Sequence, residues 1–519
     1  MRGHGRRTAG RAGVPDPRRP RHDGRDRRAG GDRSSFRGDA AMTVSHDVLS
    51  HGVLSRDVLV VGGGPAGLSA AARLAAAGLT VAIADEQPEL GGQYFRRPSP
   101  AVLRAHGDHR PEGGRLIARV RELGVDCLTG HLVWGVADDG RTLFATAPDG
   151  AAVRLRARHV IVATGAYERT HPFPGWQLPG VTTPGFAQHL AAADGTPVGR
   201  RVLVAGSGPF LLPVACSLLD AGAEVIGVAE AGHPYTPSLR ATAALRHPAR
   251  LRELAGYMAR LARARVPIWQ GRVVTGASGD DSVSAVTLAA TADPSRPVGT
   301  FAVDAVCVGY GFRPQTELAR LLGCEIRADA ATGDAAPVTD AFGRTSRPGV
   351  YVVGEAAGIG GVHLARARGR LTAAHILAAR GGGDRREIVR LAARTRALGR
   401  FTALGEALYP SPAALQDALV SALPDETVVC RCEAVTASDV RAAATDRAGG
   451  DLNAAKSWSR AGMGPCQGRF CGFAVAGLVR AARGGERGEP VFPARQPVRP
   501  VPVETLLALG EQEPEGDAA

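Results

Sequence analysis

Lysine is almost missing from this chain: Lys456 is the one lysine among 63 basic residues of 519. So strong a preference for arginine reads as the mark of a GC-biased genome rather than of a binding function. Aromatic residues make up only 5%, and no stretch interleaves them with Arg as a nucleic-acid surface would. The net charge of +13 does not change this, because twelve Arg and five Asp fall within residues 1–41 and leave only +6 for the other 478. Nucleic acid is therefore not an expected partner. Arg6-Arg7 is not followed by an apolar leader core, and the five Asp of the same segment argue against a transit peptide. Residues 1–41 have no hydrophobic periodicity and are expected to be disordered, an extension upstream of a true start at Met42. With neither a targeting nor a spanning signal, the expectation is a cytoplasmic protein without stable membrane insertion. No C-x-x-C pair occurs anywhere in the chain.

What is present is globular in composition, with 44% apolar and 22% charged residues, and the length suggests roughly three or four domains' worth of folded material. The stretch Val58 to Ala84 carries one charge, Arg73, and is long enough to span a bilayer. The glycines at its first turn predict a βαβ unit instead. Val58-Leu59-Val60-Val61 reads as a buried strand that enters Gly62-Gly63-Gly64-Pro65-Ala66-Gly67, and a helix is expected over Leu68 to Ala77. Gly62 permits a tight turn, Gly64 lets a pyrophosphate approach the backbone, and Gly67 lets helix and strand pack closely. A second strand, Val81 to Ala84, ends at Asp85-Glu86, at the distance where a carboxylate receives ribose hydroxyls; alternation favours Asp85.

Two later segments also read as buried strands: His159 to Val162, which runs into Ala163-Thr164-Gly165, and Gly349 to Val353, which runs into Gly354-Glu355. Between them Val202 to Ala205 enters a second turn, Gly206-Ser207-Gly208-Pro209-Phe210-Leu211, followed by a strand Val225 to Ala229 that ends at Glu230. Leu211 stands where the third glycine belongs, so this turn supports the fold more than nucleotide binding.

Near the C-terminus four of the eight cysteines gather as Cys430-Arg431-Cys432 and Cys466-Gln467-Gly468-Arg469-Phe470-Cys471. Two close thiolate pairs suit zinc or an iron–sulfur cluster, and C-x-C is an unusual half for zinc. Two short helices are expected between the pairs, Thr436 to Gly450 and Asp451 to Arg460, with Ser438 as a cap. The other cysteines, Cys127, Cys216, Cys307 and Cys324, stand singly and read as core residues. The helical spacing of Ile388, Leu391, Leu398, Phe401, Leu404 and Leu408 predicts an amphipathic helix over Arg385 to Tyr409. No general base is assignable: His189 and His363 look isolated, while Trp176 and Tyr167 read as neighbours of a bound cofactor or as core.

The two glycine turns with the Ala163-Thr164-Gly165 and Gly354-Glu355 strand ends resemble the two-dinucleotide-domain flavoprotein reductases. The resemblance implies an α/β fold with two Rossmann-like domains and FAD in the first. The FAD-binding residues it implies are Gly62, Gly64, Pro65, Ala66, Gly67, Asp85, Glu86, Gly92, Gln93, Thr164, Gly165, Gly354 and Glu355, the last replacing the usual Asp. NAD(P) or another adenine nucleotide at Gly206, Gly208 and Glu230 is an open expectation. Disulfide reduction is disfavoured, since Gly91-Gly92-Gln93-Tyr94-Phe95-Arg96 lacks the redox cysteines of that superfamily.

The segments Cys430-Arg431-Cys432-Glu433 and Gly462-Met463-Gly464-Pro465-Cys466-Gln467-Gly468-Arg469 resemble the small helical 2Fe–2S domain of bacterioferritin-associated ferredoxins. They are most similar to the large FAD and iron–sulfur subunit of multisubunit amine and amino-acid dehydrogenases, the group of opine oxidase, hydrogen cyanide synthase and D-hydroxyproline dehydrogenase. Gly165-Ala166-Tyr167-Glu168-Arg169, Pro172-Phe173-Pro174-Gly175-Trp176 and Gly309-Tyr310-Gly311-Phe312 match as well, whereas Pro184-Gly185-Phe186 departs. What this implies is a flavin domain in two halves (55–170 and 309–380) around an inserted nucleotide domain (171–308). A helical linker (381–424), a 2Fe–2S domain (425–480) held by Cys430, Cys432, Cys466 and Cys471, and a tail (481–519) follow. It further implies an electron-transfer role beside a second flavoprotein subunit of the amino-acid-oxidase-like kind, whose electrons arrive either directly or through a small ferredoxin-like subunit. A self-sufficient NAD(P)H-dependent flavin reductase that discharges through its cluster is the alternative expectation.

Overall fold

The computed structural model describes residues 53–510 apart from 109, 237–246, 330–331, 410–411, 448–450, 483, 485–491 and 493. The expected extension 1–41 lies outside the described residues.

Strand β1 (Val53–Val61) leads into a helix at Pro65–Ala75 and on to β2 (Val81–Asp85). The helix starts three residues earlier than the sequence suggests, because Pro65 supplies the first helical φ at no cost in hydrogen bonds. Strands β3 (Asp126–Thr129), β4 (Leu132–Val136), β5 (Thr142–Thr146) and β6 (Ala152–Val162) extend this sheet in the order β3-β2-β1-β6-β5-β4. Its β1, β2, β3 and β6 are parallel, and the Val58 to Val61 run is buried on both faces, as the unbroken apolar sequence requires.

Strand β7 (Ala166–Glu168) leaves the first sheet for a second one. The second is built from β8 (Val181–Thr182), β9 (Arg201–Gly206), β10 (Glu224–Glu230) and β11 (Ile268–Gln270). Beside it lies a three-stranded antiparallel sheet of β12 (Arg272–Ser278), β13 (Ala285–Ala290) and β14 (Asp293–Ala302). Strand β15 (Ala305–Gly309) completes the parallel order β11-β10-β9-β15-β8, and β16 (Phe312–Pro314) pairs antiparallel with β7, so one two-stranded ribbon carries the chain out of the first sheet and back. After the hairpin β17 (Ile326–Ala328) and β18 (Ala335–Pro337), strand β19 (Val350–Val352) rejoins β6 in parallel.

The helix Gly361–Ala379 then packs on Pro65–Ala75; a Cβ on Gly369 would overlap Ala66 O, so the two helices touch backbone to backbone. The linker helix runs from Arg385 to Leu408, with Tyr409 as its cap and no fully buried residue. Beyond Pro412–Ser421, a hairpin of Val428–Cys430 and Val435–Thr436 carries the first cysteines. The expected helix at 436 is α-helical over Ala437–Ala442 and continues as a π-helix over Ala443–Arg447, with 448–450 outside the described residues. Its cap is Thr436, not Ser438: the Thr436 hydroxyl receives Asp439 N–H while the Asp439 carboxylate receives Thr436 N–H. Helices Leu452–Ser459 and Gly472–Ala482 complete this region. The segment expected as a tail returns to the first sheet, where Val498 N–H donates to Trp134 O at 2.9 Å and Gln496 Oε1 receives Val136 N–H at 2.7 Å. No helix among the described residues is long and apolar enough to cross a membrane.

Candidate functional site

At the end of β1 the backbone is bare. Gly62 has φ +108°, and a Cβ there would overlap Ala163 O; a Cβ on Gly67 would overlap Gly62 O. Gly92, at φ +59°, leaves 2.8 Å between its hypothetical Cβ and Gly64 Cα, and Gly354 leaves the same to Ala66 Cβ. Gly62, Gly64, Pro65, Ala66, Gly67, Gly92 and Gly354 are thereby brought together around a helix N-terminus that no side chain caps. Exposed amides and the positive end of a helix dipole suit a pyrophosphate. Asp85 is buried, its Oδ2 receiving Gly63 N–H at 2.5 Å and its Oδ1 receiving Gln87 N–H at 2.8 Å, and burial pushes its carboxyl up. Glu86 turns outward and pairs with Arg499 at 3.2 Å, so the two acids part company at the strand end.

Thr164 and Gly165 follow β6, where Thr164 Oγ1 donates to Gln315 O at 3.3 Å. Gln93 is exposed on the loop after Gly92. Glu355 bends onto the start of the helix Gly361–Ala379, its Oε1 receiving Gly361 N–H at 3.1 Å, with burial raising its pKa. Arg368 backs this turn by donating to Gly354 O and Gly358 O.

The second turn differs in one respect. Its helix begins at Leu211, the sixth residue of the motif, whereas the first begins at Pro65, the fourth. Leu211 is 2% exposed and belongs to the core beneath, while Phe210 packs edge-on against Phe312 at 5.2 Å. Gly206, at φ +140°, would overlap Gly309 O with any Cβ. Glu230 is fully buried and receives N–H groups from Gly208 at 3.0 Å and Gly232 at 2.9 Å; burial pushes its carboxyl up to about 6. Tyr235 and Tyr409 hydrogen-bond beside it, both phenols raised by burial. Tyr409, contributed by the linker helix, had no signal in the sequence.

The four clustered cysteines converge. Cys430 touches Cys471, Cys471 touches Cys466, and Cys466 touches Cys432, each pair within hydrogen-bond reach. The Cys471 thiol and the N–H groups of Gly462, Glu433 and Cys432 lower Cys430 to about 6. Contacts from Cys471, Phe470 N–H, Cys432 and Gly468 N–H lower Cys466 as well, whereas Cys471, which supplies the hydrogen bonds to both, is raised. Backbone N–H groups aimed at sulfur favour anionic ligands. Among the described residues no group of three or more His, Cys, Asp or Glu is gathered around a single ion position. The four sulfurs interact with one another in pairs across the two loops.

The loops around the four cysteines are tightly constrained. Three of the four described non-glycine residues with positive φ, Ala434, Arg460 and Gln467, flank the cysteines. A Cβ on Gly464 would overlap Cys432 Cβ, so only glycine lets the two loops meet. Cys430 and Cys471 are buried, Cys432 is exposed, and the exposed Met463 and Phe470 stand on the neighbouring loop.

Arg469 joins these loops to the first sheet. Its Nε donates to Tyr167 Oη at 2.7 Å, one guanidinium nitrogen donates to Cys466 O and Gln467 Oε1 at 3.2 Å, and the other donates to Val498 O. Arg313 on β16 donates to Arg469 O at 2.5 Å. Tyr167 Oη also receives Arg499 at 3.1 Å, and Arg499 in turn pairs with Glu86.

Other expectations need correction. His189 is not isolated: Nε2 meets the Arg96 guanidinium at 2.8 Å. His363 lies within the field of Arg250, Glu253, Arg366 and Arg394, and burial lowers its pKa. Trp176 is a core residue, one of the two readings offered for it, with Nε1 donating to Val428 O and the ring beneath Arg431, while Tyr167 turns toward the cysteine region through Arg469. Sequence reasoning missed Glu168, whose Oε1 receives Gly185 N–H at 2.6 Å and whose carboxyl is raised by burial. It also missed the buried pair of Arg169 with Asp334. Glu168 and Arg169 stand inside the matched Gly165 to Arg169 segment, which was the available signal.

Residues 56–375 match the pyridine nucleotide-disulphide oxidoreductase family. The chain belongs to this family of flavin oxidoreductases. It is 34% identical over 468 residues to an opine oxidase subunit of Rhizobium meliloti (strain 1021), covering 88% of this chain and 99% of that one. To hydrogen cyanide synthase subunit HcnB of Pseudomonas aeruginosa it is 33% identical over 471 residues, again 88% and 99% of the two chains. Among solved structures, L-proline dehydrogenase from P. horikoshii superimposes with a TM-score of 0.62 at 23% identity, over 88% of this chain and 80% of that chain, a likeness of fold.

Proposed function

We propose that the chain is the FAD- and 2Fe–2S-containing electron-transfer subunit of a heteromeric cytoplasmic dehydrogenase or oxidase acting on amino acids or secondary amines of the opine, D-hydroxyproline or glycine type. The observation that carries the reading is the convergence of four cysteine sulfurs on a chain that also holds a bare-backbone dinucleotide cradle. FAD would lie at Gly62 to Gly67, Gly92, Gln93, Thr164 and Gly165, with its ribose on Asp85 and its remaining length toward Gly354 and Glu355. Cys430, Cys432, Cys466 and Cys471 would ligate the cluster within a domain of residues 425–480, joined through 381–424 to the flavin domain (55–170 and 309–380), which encloses residues 171–308. When bound, the two groups would convert two-electron oxidation into one-electron flow.

The chain's own residues define its part in this. Asp85 orients the ribose, the glycine backbone neutralises phosphate charge, and N–H donors favour the thiolates of Cys430 and Cys466. Oxidation of the amine is assigned to a second flavoprotein subunit, since no described side chain here is placed as a base for a substrate carbon. The names of the two relatives, both subunits, support this division of labour. Exposed Met463 and Phe470 beside Cys432 support an external partner at the cluster, such as a small ferredoxin-like subunit. The second turn, with a helix that starts late at Leu211, supports a structural or regulatory domain more than a self-sufficient NAD(P)H reductase.

The test is purification of the chain with visible and EPR spectra and iron and sulfide analysis, followed by dye reduction on a panel of D-amino acids, hydroxyproline, sarcosine and opines. The isolated chain is expected to hold FAD and a 2Fe–2S cluster and to turn over none of these until its flavoprotein partner is added. Zinc in place of iron, or robust turnover by the chain alone, would overturn the reading.

A further inference from the structure

The guanidinium of Arg469 sits between two cluster cysteines in sequence, yet it makes no hydrogen bond to sulfur. Its side chain is 10% exposed, and all of its described contacts reach outward from the loop or brace it. Nε reaches Tyr167 on the ribbon that leaves the first dinucleotide site, one terminal nitrogen holds Cys466 O and Gln467 Oε1, and the other holds Val498 O. Glu317 lies 3.6 Å away as a counter-charge, and Arg313 of β16 clasps the Arg469 carbonyl from below. Both strands of the β7/β16 ribbon therefore grip one residue of the Cys466–Cys471 loop.

We propose that Arg469 is a positioning residue for electron transfer: it fixes the Cys466–Cys471 loop against the flavin-side ribbon and sets a buried positive charge beside the cluster. The proposal rests on the reading of the four cysteines as 2Fe–2S ligands. With both groups bound, the flavin would give up its two electrons one at a time, each reducing one ferric ion held by Cys430, Cys432, Cys466 and Cys471, with an external one-electron acceptor taking each electron on and the flavin's protons passing to solvent. The reduced cluster carries one more negative charge, so a nearby cation favours it and holds the reduction potential up. A fixed loop holds the distance that the electron must cross. A structural staple alone would supply the second effect without the first.

Three variants separate the two effects. Arg469→Gln removes both the charge and the bonds, Arg469→Lys keeps the charge but not the forked bonding, and Tyr167→Phe keeps the charge and removes one anchor. The measurements are the cluster midpoint potential by EPR-monitored titration, and the rate of cluster reduction after anaerobic photoreduction of the flavin. Arg469→Gln is expected to shift the potential negative, with Arg469→Lys and Tyr167→Phe close to the unaltered chain. All three should slow cluster reduction, by about tenfold, at unchanged FAD content. An unshifted potential in Arg469→Gln, or undiminished rates in both Arg469→Lys and Tyr167→Phe, overturns the proposal. If Arg469→Gln loses its iron, the rates of the other two decide. An unaltered chain free of iron and sulfide would defeat the underlying reading instead, which is a distinct outcome.

Discussion

Trp176 Nε1 donates a 2.5 Å hydrogen bond to the carbonyl of Val428, two residues ahead of Cys430, while the Arg431 guanidinium lies 5.2 Å over the indole ring. A buried residue from the segment between the two parallel sheets thus holds the hairpin that carries the first cysteines. Trp176→Phe keeps most of the packing and strands a buried carbonyl, which costs roughly 1–3 kcal/mol. A fall in melting temperature without loss of iron or FAD is the expected result, read by calorimetry beside cofactor analysis.

Replacement of any of Cys430, Cys432, Cys466 or Cys471 by Ser should abolish the cluster and leave FAD bound, because ligation is local to these loops. Gly464→Ala should do the same without touching a ligand, since its methyl group would occupy the space of Cys432 Cβ. Visible spectra with iron and sulfide assays check both. Iron content unchanged in all four serine variants would sink the ligand assignment.

His171 is buried with its ring 4.9 Å from Tyr310 and 5.6 Å from Phe473, and neither ring nitrogen has a hydrogen-bond partner. Burial, with Arg169 nearby, pushes its pKa down to about 3. The folded state therefore refuses a proton that the unfolded chain accepts below about 6.5. Stability present above that pH is lost as pH falls toward 3, at about 1.4 kcal/mol per pH unit. His171→Phe should lose less over that range. Urea unfolding of both proteins at pH 7, 6 and 5 measures the difference, and parallel losses would absolve the histidine.

Binding of ATP or NADH at the second turn should be weak and should strengthen as pH rises through about 6, where Glu230 becomes a carboxylate able to receive ribose hydroxyls. Anaerobic titration with NADH should bleach the flavin slowly or not at all, because the helix begins two residues late at Leu211. Rapid stoichiometric bleaching at micromolar NADH would favour the reductase reading.

The parts of the fold that local pattern encodes were legible. Val58 to Val61, the glycines after it and Asp85 sit within one βαβ unit, where short spacing carries the geometry. Local chemistry still misled at Ser438: Thr436 and Asp439 stand three apart as a capping box, and that pair outcompetes a lone serine. Partnerships across the chain were not legible. Arg96 and His189 are 93 residues apart, and Arg469 and Tyr167 are 302 apart. Nothing in the local pattern around any of these four residues names its partner across the chain. Arg499 and Gln496 gave no signal at all, since their proline-rich segment has no period.

The return of residues 494–509 to the first sheet has a consequence for biosynthesis. Arg154 donates to Leu509 O, Thr505 to Gly150 O, and Arg499 ties Glu86 to Tyr167. The first βαβ unit leaves the ribosome hundreds of residues before these partners exist. It can fold early, whereas the strap of residues 494–509 is added only after all of its partners have been made. A nascent chain stalled before residue 494 would keep the Tyr167, Arg313 and Trp176 ties to the cysteine loops but lack those made by Val498 and Arg499.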